Sequence, residues 1–86
     1  MSEPIEIQRK KLIYRSLHRG TKEMDCLLGK FAQSELPSMS ADELDQYAQI
    51  MEEEDPNLYN WITKQQDVPL DKQSNMLDRI KSFHNF

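Results

Sequence analysis

Arg19-Gly20-Thr21-Lys22-Glu23 is the segment in which residue types and spacing best suit contact with another molecule. An arginine and a glutamate stand four residues apart around a glycine, between two amphipathic stretches. One reading is a capped turn with a surface ion pair, worth at most about 1 kcal/mol. The other is a polar corner shaped for a partner. By composition alone the capped turn is favoured, because charged helix starts are common.

Other chemistry lacks its parts. His18 and His84 are far apart, Cys26 is alone, and no CxxC or HxxxH spacing occurs, so no metal site is expected. Cys26 would have to meet a histidine to act as a nucleophile; within an apolar helix it reads as a small hydrophobe. No glycine-rich phosphate loop is present. The basic first segment raises nucleic acid, but Glu23 and Asp25 would lie at the end of the helix entering a groove, where phosphates repel them. No catalytic residues and no nucleic-acid partner are expected.

Two further clusters carry a structural and a functional reading. Trp61, spaced with Leu58 and Ile62, reads as the core anchor of a short helix, whereas Tyr59 lies off that stripe and is expected at the surface. Glu52-Glu53-Glu54 sits at the C-terminal end of a helix, where the dipole disfavours negative charge. Either it also faces the start of the next helix, or a local rule is broken for function.

The elements that must position these residues are helices. The chain has 86 residues with 37% hydrophobic and 30% charged, and contains one Val, so helix is favoured over strand. Ser2 and Pro4 mark the entry to a first helix over about 4–18 carrying Ile5, Leu12, Ile13, Tyr14 and Leu17, with Gly20 as its stop. Met24, Leu27, Leu28, Phe31 and Ala32 form one apolar stripe on a helix over about 22–35, capped by Thr21 and closed by Pro37. Ser40-Ala41-Asp42-Glu43 is a capping box, with Met39 and Leu44 as its staple, for a helix over about 41–53 burying Leu44, Tyr47, Ala48 and Met51. Asp55 as cap and Pro56 as first residue start a helix over about 56–65. A last helix over about 72–84 turns Met76, Leu77, Ile80 and Phe83 inward. The expectation is an all-α, compact five-helix bundle forming a single small domain over 1–86.

The net charge of −4 is unevenly placed: residues 7–22 carry only basic charges and residues 35–55 only acidic ones, so folding can pair the two poles or keep them apart. No apolar run approaches the roughly 20 residues of a membrane span, and no membrane contact is expected. A lone cysteine gives no sign of an oxidising compartment, and residues 1–11 lack the pattern of a targeting segment. The expected location is cytoplasmic, of bacterial type, and the free chain is expected to be a monomer.

Arg19-Gly20-x-x-Glu23 resembles the RGxxE signature of the succinate dehydrogenase FAD assembly (flavinylation) factors. Tyr14-Arg15-Ser16 before it and Met24-Asp25-Cys26-Leu27-Leu28-Gly29-Lys30-Phe31-Ala32 after it are similar to the flanking family pattern, and Glu52-x-x-Asp55-Pro56-x-Leu58-x-x-Trp61 resembles its second block. The resemblance covers about residues 9–63. Thr21 stands where the family usually has Met, and His18 where a basic residue is common.

The resemblance implies a five-helix chaperone that promotes covalent attachment of FAD to the flavoprotein subunit of succinate dehydrogenase, and in bacteria often of fumarate reductase. It implies no stably bound cofactor, since the flavin joins a histidine of the partner. It also implies a partner-binding set of Arg19, Gly20 and Glu23, with Arg15, Asp25, Glu52 and Asp55 from the matching blocks. In that set, Gly20 lets a partner's backbone approach closely, Arg19 forms bidentate bonds to a partner carboxylate, and Glu23 accepts from a partner donor or holds Arg19. The rival expectation is a general helical interaction module, an adaptor or antitoxin-like regulator unrelated to flavin.

Overall fold

The computed structural model describes residues 4–85. Among them are five α-helices: α1 (Ile5–Leu17), α2 (Lys22–Glu35), α3 (Ala41–Met51), α4 (Asp55–Ile62) and α5 (Asn75–Phe83). Two 3-10 turns, Leu36–Ser38 and Leu70–Lys72, complete the order, and no strand occurs among the described residues. The all-α, five-helix expectation holds.

Local chemistry sets most of the starts. Thr21 accepts from the Met24 N–H, and Ser40 and Glu43 form the reciprocal capping box expected of them. Ser74 accepts from the Leu77 N–H, so α5 begins at Asn75 rather than near Lys72, which belongs to the preceding 3-10 turn. Pro4 occupies the cap position of α1 rather than its first helical residue, and Ser2 lies outside the described residues. The expected extension of α4 to 65 fails because the chain turns at Lys64, whose φ of 62° leaves the helical region. Likewise α3 stops at Met51, two residues before the expected end.

The core gathers the apolar faces of all five helices. Leu28, Phe31, Ala32, Leu36, Leu44, Tyr47, Ile62 and Ile80 are fully enclosed, with Met39, Met51, Leu58, Trp61 and Met76 nearly so. Trp61 is therefore a core anchor, as its spacing implied, and Tyr59 packs partly against the core rather than standing free. Phe83 sits at the rim, edge-on to Phe31 at 5.5 Å between ring centres.

The first helix departs furthest from its expected pattern. Its deeply buried residues are Leu12 and Ser16, while Ile5 and Tyr14 remain exposed. Ser16 donates to the Leu12 carbonyl at 2.7 Å, so its hydroxyl oxygen receives the Tyr47 hydroxyl at 2.6 Å. This polar pair ties α1 to α3 inside the core, and no buried side-chain polar atom among the described residues lacks a partner. At Gly29 the two leading helices touch: an added Cβ there would meet the Leu17 Cδ2 at 2.7 Å.

Candidate functional site

The site is the corner where the α1–α2 turn meets the α3–α4 turn, and Arg19 is its keystone. Its backbone N–H donates to Asp25 Oδ1 at 2.6 Å, so the first turn of α2 reaches back and fixes the turn. Its guanidinium then crosses to the other turn. Nε donates to Asp55 Oδ1 at 2.7 Å, Nη1 to the Met51 carbonyl at 2.8 Å, and Nη2 to the Glu53 carbonyl at 2.8 Å. The Met51 and Glu53 carbonyls lie at the end of α3, where a cation complements the helix dipole.

This corrects three expectations. Arg19 pairs with Asp55, not with Glu23, and each guanidinium nitrogen has an acceptor within the chain, so three internal bonds hold the side chain in place. Asp55 is the first residue of α4 instead of its cap; the cap is Glu54, with no side-chain bond, because the Asp55 carboxylate is turned toward Arg19. Asp25 likewise serves the turn itself.

Two of the three glutamates in the acidic run find partners near the same corner. Glu52 lies 3.7 Å from Arg15, Glu53 lies 2.7 Å from Lys72, and Arg19 covers the carbonyls beneath them. The Glu53 carboxylate holds the Lys72 ammonium charged to higher pH than usual. Folding therefore brings the basic and acidic halves of the sequence together here, as one of the two charge readings allowed.

What remains open to solvent is narrower than the predicted set. Gly20 is exposed with φ +114°, and nothing lies within 4 Å of the position a Cβ would take. Glu23 is exposed and forms no hydrogen bond or ion pair with any other described residue. Arg15 and Glu52 form a loose surface pair, and the Tyr14 ring lies against His18, 4.3 Å between centres and tilted by 35°. The structure thus brings together Arg15, Arg19, Gly20, Asp25, Glu52 and Asp55 at one corner, with Glu23 on the helix leaving it.

Two shallow grooves flank the Arg19–Asp55 pair. One, of about 510 Å³, is lined by Tyr14, Arg15, His18, Arg19, Glu54, Asp55 and Pro56. The other, of about 390 Å³, is lined by Thr21, Glu23, Met24, Asp55, Pro56, Tyr59 and Asn60. Sequence reasoning missed Tyr14, His18 and Asn60 as neighbours of the corner. The i, i+4 spacing of Tyr14 and His18 was the available signal for the first two. Cys26 is exposed, against its expected place in the core. No group of three or more metal-ligating side chains occurs among the described residues, and none of their helices is long and apolar enough to cross a membrane.

Residues 10–84 match the family model described as "Flavinator of succinate dehydrogenase". Over 71 residues the chain is 42% identical to succinate dehydrogenase assembly factor 2, mitochondrial, of Lodderomyces elongisporus, covering 81% of this chain and 43% of that protein. The protein of the same name in Dictyostelium discoideum is 36% identical over 77 residues, covering 90% and 55%. That of Kluyveromyces lactis is 36% identical over 85 residues, covering 94% and 52%. The chain spans about half the length of these curated relatives.

These relatives overturn the expected cytoplasmic, bacterial-type location, since each is named as mitochondrial. The missing targeting pattern in residues 1–11 does not decide location, because the chain spans only part of the relatives' length. The family, by contrast, is the one the RGxxE resemblance indicated. The chain belongs to the family of flavinators of succinate dehydrogenase.

Proposed function

We propose that this chain is an assembly factor that docks on the flavoprotein subunit of succinate dehydrogenase and promotes covalent attachment of FAD to it. Family membership supports the client, and the names of the relatives support the assembly role. One structural observation carries the docking surface: the exposed Gly20, with nothing within 4 Å of the position of a Cβ, beside an exposed Glu23 whose side chain has no partner among the described residues.

The division of labour follows from the geometry. Asp25, Arg19 and Asp55 lock the turn from within, so Gly20 is presented at a fixed place without an ordering cost on binding. The bare glycine lets a loop of the flavoprotein come close to backbone. Glu23, Arg15 and Glu52 supply charge around it. Docking then holds the flavoprotein with its FAD and acceptor histidine aligned, and the bond forms by proximity. The chain itself contributes no catalytic residue and keeps no cofactor.

Reconstitution tests this. Purified flavoprotein subunit is incubated with FAD, with and without this chain, and covalent flavin is read by in-gel fluorescence. The expected result is a marked gain with the wild-type chain and little with Gly20→Arg. Equal covalent flavin in the presence and absence of the chain would refute the role.

A further inference from the structure

We propose that the groove between α2 and α4 is the seat of an arginine side chain from the flavoprotein subunit. The inference rests on the docking role proposed above and specifies the chemistry of one contact within it.

The groove has an apolar floor and an acidic rim. Met24, Pro56 and Tyr59 line it, with Glu23 on one side and Asp55 on the other. None of its lining residues is basic. Lys22, between Thr21 and Glu23 in sequence, is not among the lining residues, and Arg19 bonds Asp55 but is also held by the Met51 and Glu53 carbonyls. Its contact with Asp55 is through Oδ1, and Oδ2 has no hydrogen-bond partner among the described residues. Glu23 stands on the first turn of α2, exposed and without a counter-charge among the described residues.

The fold has therefore paired Glu52, Glu53 and Asp55 at the α3–α4 corner with its own cations, yet left the Glu23 carboxylate at the edge of an apolar trough without a cation partner among the described residues. That combination fits a cation with a broad, weakly hydrated face. A guanidinium lies flat against the tyrosine ring and proline while its nitrogens reach a carboxylate on either side. An ammonium, compact and strongly hydrated, gains less from the floor. The groove adjoins Gly20 through Thr21, so an arginine entering it belongs to the same footprint as the close backbone approach.

Calorimetric titration of the purified flavoprotein subunit with the full chain tests this at several salt concentrations, with folding of each variant checked by circular dichroism. Glu23→Gln is expected to weaken binding roughly tenfold and to flatten its salt dependence. Tyr59→Leu is expected to weaken binding while leaving the salt dependence in place. Asp42→Asn, an exposed charge on the first turn of α3 outside the groove, is expected to bind within about twofold of wild type. In a second measurement, N-acetylarginine methylamide is titrated into the chain by NMR. It is expected to shift the amides of Thr21, Glu23 and Asn60 more than N-acetyllysine methylamide does. If wild type binds, Gly20→Arg does not, and Glu23→Gln and Tyr59→Leu bind like wild type, docking survives and the groove assignment is overturned. Larger shifts with the lysine probe overturn the choice of arginine. If the flavoprotein fails to bind wild type at all, the docking role falls and the groove with it.

Discussion

Arg19 and Asp55 are 36 residues apart in sequence and 2.7 Å apart in the fold, with side-chain exposures of only 12% and 20%. Their pair joins the two turns that carry the most characteristic residues of the chain. It also divides the polar corner into a built part and a presented part. Arg19, Asp25 and the Oδ1 side of Asp55 hold the two turns together, and Gly20 and Glu23 face outward. A motif that reads in sequence as one binding unit is thus two kinds of residue in space.

Arg19→Ala is expected to act first on stability. It would leave the Asp55 carboxylate and the Met51 and Glu53 carbonyls without their donor, costing about 2–3 kcal/mol. For a chain of this size that lowers Tm by on the order of 10 °C. Arg19→Lys should recover little, because one ammonium cannot match three acceptors in a fork geometry. Urea denaturation of both variants checks this. If Arg19→Ala unfolds at the wild-type midpoint yet fails in flavin attachment, the arginine contacts the partner and the assignment made here is wrong.

Gly20 separates conformation from contact. Gly20→Ala places a Cβ in open space, so its cost is that of a positive φ alone, about 1 kcal/mol. Gly20→Arg should lose a similar amount of stability, since its side chain also points into solvent. The two variants should therefore have matching denaturation midpoints and very different capture of the flavoprotein. A Gly20→Arg variant that is far less stable than Gly20→Ala would show that the corner is crowded rather than open.

The helices were legible in the sequence because they rest on local signals. The Ser40–Glu43 box and the Met24–Ala32 stripe each declare themselves within a few residues. The role of Arg19 was not legible, since a charged residue four positions from Glu23 looks paired locally while its true acceptors lie 32 to 36 residues away. Ser16 was hidden for a related reason: a serine on a weakly periodic helix gives no sign that a tyrosine hydroxyl from α3 will meet it. The end of α4 was missed because Lys64 adopts positive φ without glycine to announce it.

Tyr47 links this buried polar pair to pH. Burial pushes its hydroxyl up to about 12, against smaller opposing effects of the Ser16 hydrogen bond and the Arg19 charge. The folded pKa lies above that of the unfolded chain, near 10, so the native state holds a proton that the unfolded state has lost. Stability should therefore fall as pH rises from about 10 to about 12. Ser16→Ala strands the Tyr47 hydroxyl and should cost about 1–2 kcal/mol, more than Tyr47→Phe, which leaves Ser16 bonded to Leu12. Tyrosine absorbance during alkaline titration, with denaturation of both variants at neutral pH, checks the order. Equal costs would mean that the hydroxyl finds another partner.

Acid should act at the opposite side of the molecule. The Glu43 carboxyl is held below its usual value by the Ser40 backbone N–H, then by the Arg79 side chain and the Ser40 hydroxyl. A group depressed in the folded state contributes stability that is complete above its unfolded pKa and lost as pH falls through the folded one. Glu43 does this at the start of α3, and Arg79 carries the effect onward by bonding Glu43 at 2.7 Å and Glu35 at 3.1 Å. Protonating Glu43 thus loosens both the capping box and the hold of α5 on α2 and α3. Glu43→Gln keeps the side chain's acceptor for the Ser40 N–H but removes the charge that Arg79 answers. It should be less stable than wild type at pH 7, and the gap should be smaller at pH 3. Denaturation midpoints at the two pH values decide the matter: a gap that stays constant between them would show that the charge of Glu43 does not contribute to stability.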